Sequence, residues 1–191
     1  LNHQQFFIDD SLKFTATENN IVWQKERLLN LLIETLPHNT DIIVWVDCDI
    51  VFNNNSILKD IDKVLNQYPV AQCFDQVYES SINSTHNNIS FAQDYLNEEK
   101  QDWPAIGFSW AMRRNVINNE NVNGRIGCIK GSIEHLYHGN ASNRQYWAKN
   151  KILQKHMYDP ETDITMHKGL IELLPNKPTL KQDIYQYFID R

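Results

Sequence analysis

The sequence has no apolar run approaching the ~18 residues that would cross a bilayer, so no membrane span is expected. No leader is expected either. Leu1-Asn2-His3-Gln4-Gln5 carries neither the basic n-region nor the apolar h-region of a secretory signal. There is no initiator methionine, which implies that the chain as written does not begin where the gene product does. Cysteine is scarce and odd in number, at Cys48, Cys73 and Cys128, with no Cys-x-x-Cys spacing. Buried thiols in a reducing, cytoplasmic compartment are the expectation. Positive charge is in deficit, 18 Lys and Arg against 24 Asp and Glu, for a net charge of −6. This argues against nucleic acid as the main partner. No internal repeat occurs. What is present suffices for a core: 191 residues, 41% of them hydrophobic, with five tryptophans. That length and composition favour one domain, 1–191.

The richest stretch is Asp41-Ile42-Ile43-Val44-Trp45-Val46-Asp47-Cys48-Asp49-Ile50-Val51-Phe52. Its continuous apolar run, rich in β-branched residues, predicts a strand buried on both faces, of the kind found in parallel or mixed sheets covered by helices. Asp47 and Asp49 stand where the run ends. Open α/β sheets bind ligands beyond the carboxyl ends of their strands. Residues i and i+2 of an extended segment point the same way, so the two carboxylates can converge. Held together they repel, and a hard divalent cation relieves the repulsion. Oxygen ligands suit Mg²⁺ or Mn²⁺. The plain alternative for Asp-x-Asp is a solvated turn.

Upstream, apolar positions from Ile21 to Leu36 have helical spacing, with Asn19 or Asn20 as the N-cap and Pro37 as the stop. Phe6-Phe7-Ile8 and Leu12-Lys13-Phe14-Thr15 read as short strands. Trp23-Gln24-Lys25-Glu26 is a helix start, although Lys25 can instead reach a substrate cleft. Downstream, Asn53-Asn54-Asn55 is a turn and Ser56 caps a second amphipathic helix through Leu65. Val70-Ala71-Gln72-Cys73-Phe74 is a further buried strand, completing a strand–helix–strand unit. Asp75 lies at its end, either in the same cleft or in a polar turn. Residues 79–102 are polar and read as a surface loop with one helix around Phe91–Leu96.

Gly107 leaves room for close backbone approach, and Phe108–Met112 reads as a strand. Trp110 can stack on the apolar face of a sugar ring or pack in the core. Ile126–Gly139 reads as one strand. By its period of two, Glu134, Leu136 and His138 share one face, and Ile133, His135 and Tyr137 the other. Helical patterns follow over Asn143–Met157 and Ile184–Ile189. Between them come a turn and helix start at Asp159–Asp163 and an apolar element over Gly169–Leu174, with Pro175 and Pro178 as breakers.

Four segments in order carry a resemblance: Trp23–Asn30, the Asp47-Cys48-Asp49 strand, Gly107-Phe108-Ser109-Trp110-Ala111, and His135-Leu136-Tyr137-His138-Gly139 with Asn143-Arg144-Gln145-Tyr146. Together they resemble a bacterial and viral branch of GT-A-fold glycosyltransferases bearing the Asp-x-Asp motif. The resemblance implies an α/β, Rossmann-like GT-A fold with a mixed sheet flanked by helices. It implies sugar transfer from a nucleotide-sugar donor to a carbohydrate or other hydroxyl acceptor, with Mn²⁺ or Mg²⁺ as cofactor. A histidine in the late segment then completes the metal site, with His138 the first choice and His135 the second. Asp49 is the direct ligand, and Asp47 acts through water or on the donor ribose. Arg144 neutralises the diphosphate leaving group, or is a helix-surface arginine. An inverting reaction needs a general base, for which Glu134 and Asp75 are the visible candidates. The chain departs from the family pattern before residue 20 and near 115–125. This implies a missing N-terminal nucleotide-binding part and a missing internal segment. Two other readings stand beside this one. One is an inactive GT-A-like carbohydrate-binding or scaffold domain. The other is a nucleotidyltransferase, which would show a Gly-rich basic phosphate loop that the sequence lacks.

Overall fold

The computed structural model describes residues 13–80, 85–97, 104–117, 122, 124–137, 139 and 145–190. The suggested strand at Phe6-Phe7-Ile8 lies outside them. The chain divides into two compact units, Leu1–Leu36 with Ala141–Arg191, and Pro37–Asn140. Both are α/β or mixed in content, and the mixed sheets are flanked by helices.

In the Pro37–Asn140 unit, strands β1 (Ile42–Val46), β6 (Ser109–Arg113), β3 (Val70–Gln72) and β7 (Ile126–Cys128) form one sheet in that spatial order. A second sheet has the order β2 (Ile50–Phe52), β8 (Ser132–His135), β4 (Gln76–Ser80), β5 (Thr85–Ile89). β6 is antiparallel to both β1 and β3, so those two run the same way, and β3 is parallel to β7. Helix α2 (Ile57–Leu65) links β2 to β3 and buries Ile61 and Leu65. These two pack with Ala71, Cys73, Ala111 and Ile129 in the core of this sheet. The expected strand–helix–strand unit is therefore present, with an antiparallel strand inserted into it.

Several expectations are corrected here. β1 is an edge strand among the described residues. Of its residues only Ile43 is fully buried, and Val46 is exposed. The apolar run is longer than its burial requires. Cys48 is exposed rather than buried, because the strand has already ended in a turn. Within the polar segment 79–102, β4 and β5 form an antiparallel hairpin, followed by α3 (Phe91–Asn97). Edge-strand pairing is a backbone matter, and β5 needs few apolar side chains. The single strand expected over Ile126–Gly139 is two strands, β7 and β8, separated by a crossing at Ile129–Gly131.

The other unit holds α1 (Lys25–Thr35), α4 (Tyr146–Lys155), the hairpin β9 (Ile164–His167) to β10 (Leu170–Leu173), and α5 (Pro178–Ile189). α1 starts later than expected, with Gln24 at its N-cap. Asn20 instead accepts the Thr17 N–H at 2.5 Å in the preceding turn. Gln24 brackets the Ile171 backbone, donating to its carbonyl at 2.8 Å and accepting its N–H at 3.1 Å. Leu36, restricted by Pro37, is extended at ψ 145° and ends the helix. Lys168 and Gly169 both have positive φ, as a two-residue hairpin turn of type I′ requires. Asp159–Asp163 is a turn and starts no helix. Pro178 begins α5 instead of breaking a helix, since the first turn does not need its missing N–H. Leu173, Leu180 and Ile184 form this unit's core, with Trp23 and Phe188 packed against them.

Candidate functional site

Three times in the Pro37–Asn140 unit the chain passes from the β1–β6–β3–β7 sheet straight into the other. It does so at Asp47–Asp49 between β1 and β2, at Cys73–Asp75 between β3 and β4, and at Ile129–Gly131 between β7 and β8. Two of the crossings are stitched together. Asp75 N–H donates to Gly131 O at 3.0 Å, and Gly131 N–H donates to Asp75 Oδ1 at 3.0 Å. Gly131 has φ 134°, and a Cβ there would stand 3.0 Å from Asn54 Cβ, so the crossing needs glycine.

Asp47-Cys48-Asp49 is a tight turn closed by Ile50 N–H to Asp47 O at 3.3 Å. Its two ends are fixed to different neighbours. Asp47 N–H donates to Phe108 O at 2.8 Å, and Asp49 O accepts from Leu136 N–H at 2.9 Å. Asp49 thus arrives beside the end of β8, where Ile50 pairs directly with His135. His135 Nε2 lies 3.4 Å from Asp49 Oδ2. The His135 side chain is 7% exposed, and the Phe108 ring covers it at a centroid distance of 4.7 Å. Phe108 holds φ 75°, an unusual conformation for a bulky residue. That one backbone position supplies both the acceptor for Asp47 and the ring against His135.

Of the residues singled out in the sequence, the structure brings Asp47, Asp49 and His135 into one neighbourhood. His138, the first-choice histidine, and Arg144 lie outside the described residues. Glu134 is exposed and alternates to the face of β8 opposite buried Ile133 and His135. Asp75 accepts from Gly131 and sits 3.5 Å from Lys130 Nζ, so it ties two crossings together. Trp110 pairs with Trp45 and Gln72 across β6, on the face opposite buried Ser109 and Ala111. Its Nε1 donates to Ile106 O at 2.8 Å. Gly107 has open space where a Cβ would be, which fits close approach from outside. Lys25 is exposed at the start of α1 and belongs to the other unit.

Three contributors escaped the sequence reading. Gln72 is fully buried. Its Nε2 donates to Ala105 O at 2.8 Å and its Oε1 accepts the Ala92 N–H at 2.9 Å, so it anchors the segment that leads to Phe108. Nothing in the sequence separates it from any other strand glutamine. Phe108 itself looked like an ordinary strand residue. Glu79 lies two residues beyond buried Val77, on the inward face of β4, and pairs in register with His135. Its side chain is 41% exposed, and only strand register sets it apart from other glutamates.

The donor chemistry fits a cation. A carboxylate oxygen from the turn and an imidazole nitrogen from β8 meet at 3.4 Å, two donor types that divalent cations accept. Among the described residues no group of three or more His, Cys, Asp or Glu side chains could by itself hold a metal ion. Nearby, burial pushes the Cys73 thiol up to about 11 and raises Cys128 too. In comparisons with known proteins, no family model, no curated protein and no solved structure matches this chain.

Proposed function

We propose that this chain is a metal-dependent glycosyltransferase of GT-A type, moving a sugar from a nucleotide-sugar donor to an acceptor hydroxyl. The observation that carries the reading is the 3.4 Å approach of His135 Nε2 to Asp49 Oδ2. The two residues are far apart in sequence, and the resemblance names both for one site, with His135 as its second-choice histidine after His138. A two-residue donor pair is what such chemistry calls for. Ions that carry nucleotide phosphates are typically held by one or two carboxylates, with substrate oxygens and water filling the other positions.

In this reading Asp49 and His135 hold Mn²⁺ or Mg²⁺, and Asp47 acts through water or on the donor ribose. The ion, when bound, offsets the charge that grows on the diphosphate as the sugar–phosphate bond breaks. The protein's own part is positional. The Asp47–Asp49 turn is fixed at both ends, Phe108 shields the imidazole from water, and the open space at Gly107 admits substrate beside the turn. Trp110 offers a ring for sugar stacking.

Donor hydrolysis in the presence of Mn²⁺ tests the reading: turnover with at least one nucleotide sugar is expected, with a loss of about 100-fold or more in Asp49→Ala. A second reading, an inactive carbohydrate-binding or scaffold domain, draws on the absence of a three-residue cation cage among the described residues. It requires no turnover and no Mn²⁺ affinity.

A further inference from the structure

His135 stands between two carboxylates. Its Nε2 faces Asp49 Oδ2 at 3.4 Å, and its Nδ1 faces Glu79 Oε2 at 3.9 Å. The second neighbour follows from sheet register. β4 and β8 run parallel, with Val77 opposite Ile133 and Glu79 opposite His135. Val77 and Ile133 are both fully buried, so this row points inward, and Glu79 and His135 continue it to the end of the strands. At the strand end the Glu79 side chain is 41% exposed and that of His135 only 7%, so the pair stands where the row meets solvent.

We infer that Glu79 is a positioning residue for His135. When a cation sits on Asp49, the Glu79 carboxylate stabilises the imidazole tautomer with the proton on Nδ1, so that the Nε2 lone pair faces the ion. The inference rests on the proposed metal site, and adds to it a residue that neither approaches the donor nor ligates the ion. The physical reason is simple. With a cation shared by Asp49 and Nε2, the ring proton has to sit on Nδ1, where it faces the Glu79 carboxylate. Metal-binding histidines generally have the ring nitrogen that does not bind the metal satisfied in this way, and removing the partner typically weakens metal affinity by about 10–100-fold. At 3.9 Å the two atoms stand beyond hydrogen-bond distance, and catalytic-site contacts that are long in an empty site commonly tighten when it is loaded.

The test compares wild type, Glu79→Ala and Glu79→Gln by Mn²⁺ titration, with pulsed electron paramagnetic resonance reading the ¹⁴N coupling from a ligating imidazole. Melting temperatures in EDTA control for folding. The expected result is a ¹⁴N coupling in wild type, and a Mn²⁺ affinity about 10–100-fold lower in Glu79→Ala with the coupling weakened or gone. The melting temperature in EDTA stays unchanged. Glu79→Gln, which keeps an acceptor oxygen, recovers part of the affinity. If Glu79→Ala binds Mn²⁺ as wild type does, with the same coupling, the role of Glu79 is overturned and the metal site stands. If wild type itself binds no Mn²⁺, the metal site is overturned and the role of Glu79 with it.

Discussion

Cys48 lies between the two aspartates of the turn and is exposed, whereas Cys73 is buried and its thiol is pushed up to about 11. Because the thiolate is the reactive form, a thiol reagent at neutral pH is expected to label Cys48 first and Cys73 only on unfolding. If a cation and a donor sit on Asp49, Mn²⁺ with the correct nucleotide sugar slows labelling of Cys48 and leaves the rate at Cys128 unchanged. Mass-spectrometric mapping of the label reads both sites at once. Labelling of Cys73 in the native protein would contradict the burial on which the β3–β6–β7 core depends.

At the scale of elements, Phe108 joins the turn to β8. Its ring packs on Phe74 and His135, and its φ of 75° costs a bulky residue on the order of 1 kcal/mol or more. Phe108→Ala is expected to lose about 3 kcal/mol, as ring deletions do. Phe108→Gly removes the same ring but relieves the backbone, so it is expected to be less damaging than Phe108→Ala by about 1 kcal/mol. Urea melts of the two variants settle the order, and the reverse order would show that the backbone there is unstrained. The elements themselves were legible to different degrees. β1, α2, β3 and β6 have the apolar density or the period that announces them, and all four form. β5 does not, because Thr85-His86-Asn87-Asn88-Ile89 is held by backbone pairing to β4 at a sheet edge. The break between β7 and β8 was also hidden. It depends on Gly131 at φ 134° and on two hydrogen bonds to Asp75, a residue distant in sequence. Asp49 and one histidine could be singled out by residue type and order. That the partner is His135, backed by Glu79, depends on strand register, which no local pattern encodes.

For the molecule as a whole, two buried or half-buried carboxylates in the Leu1–Leu36 with Ala141–Arg191 unit set its response to acid. Lys177, hydrogen-bonded at 2.7 Å, holds the fully buried Asp163 below the usual carboxylate range, with the Asp159 N–H assisting. His156, followed by Lys155, does the same for Asp183, which bridges α4 to α5. A depressed pKa stabilises the fold above the unfolded value, and the contribution fades as pH falls through the folded value. Stability of this unit is therefore expected to be flat from neutral pH down to about 4 and to drop below it. Lys177→Met strands the buried Asp163. Its expected cost lies between the ~1 kcal/mol of a surface pair and the ~3–5 kcal/mol of a buried one, and it also removes much of the acid dependence. Denaturant melts across pH 3–7 read both effects, and a Lys177→Met variant with wild-type stability at neutral pH would contradict the pairing.

The central claim is that Asp49 and His135 hold one cation between them, and Mn²⁺ titration of wild type, Asp49→Asn, His135→Asn and the double variant tests it most directly. If the two side chains share an ion, each single variant weakens binding by about 10-fold or more and the double variant falls short of the summed losses, as expected for groups in contact. Wild-type protein that binds no Mn²⁺, or single variants that bind it as tightly as wild type, would contradict the claim.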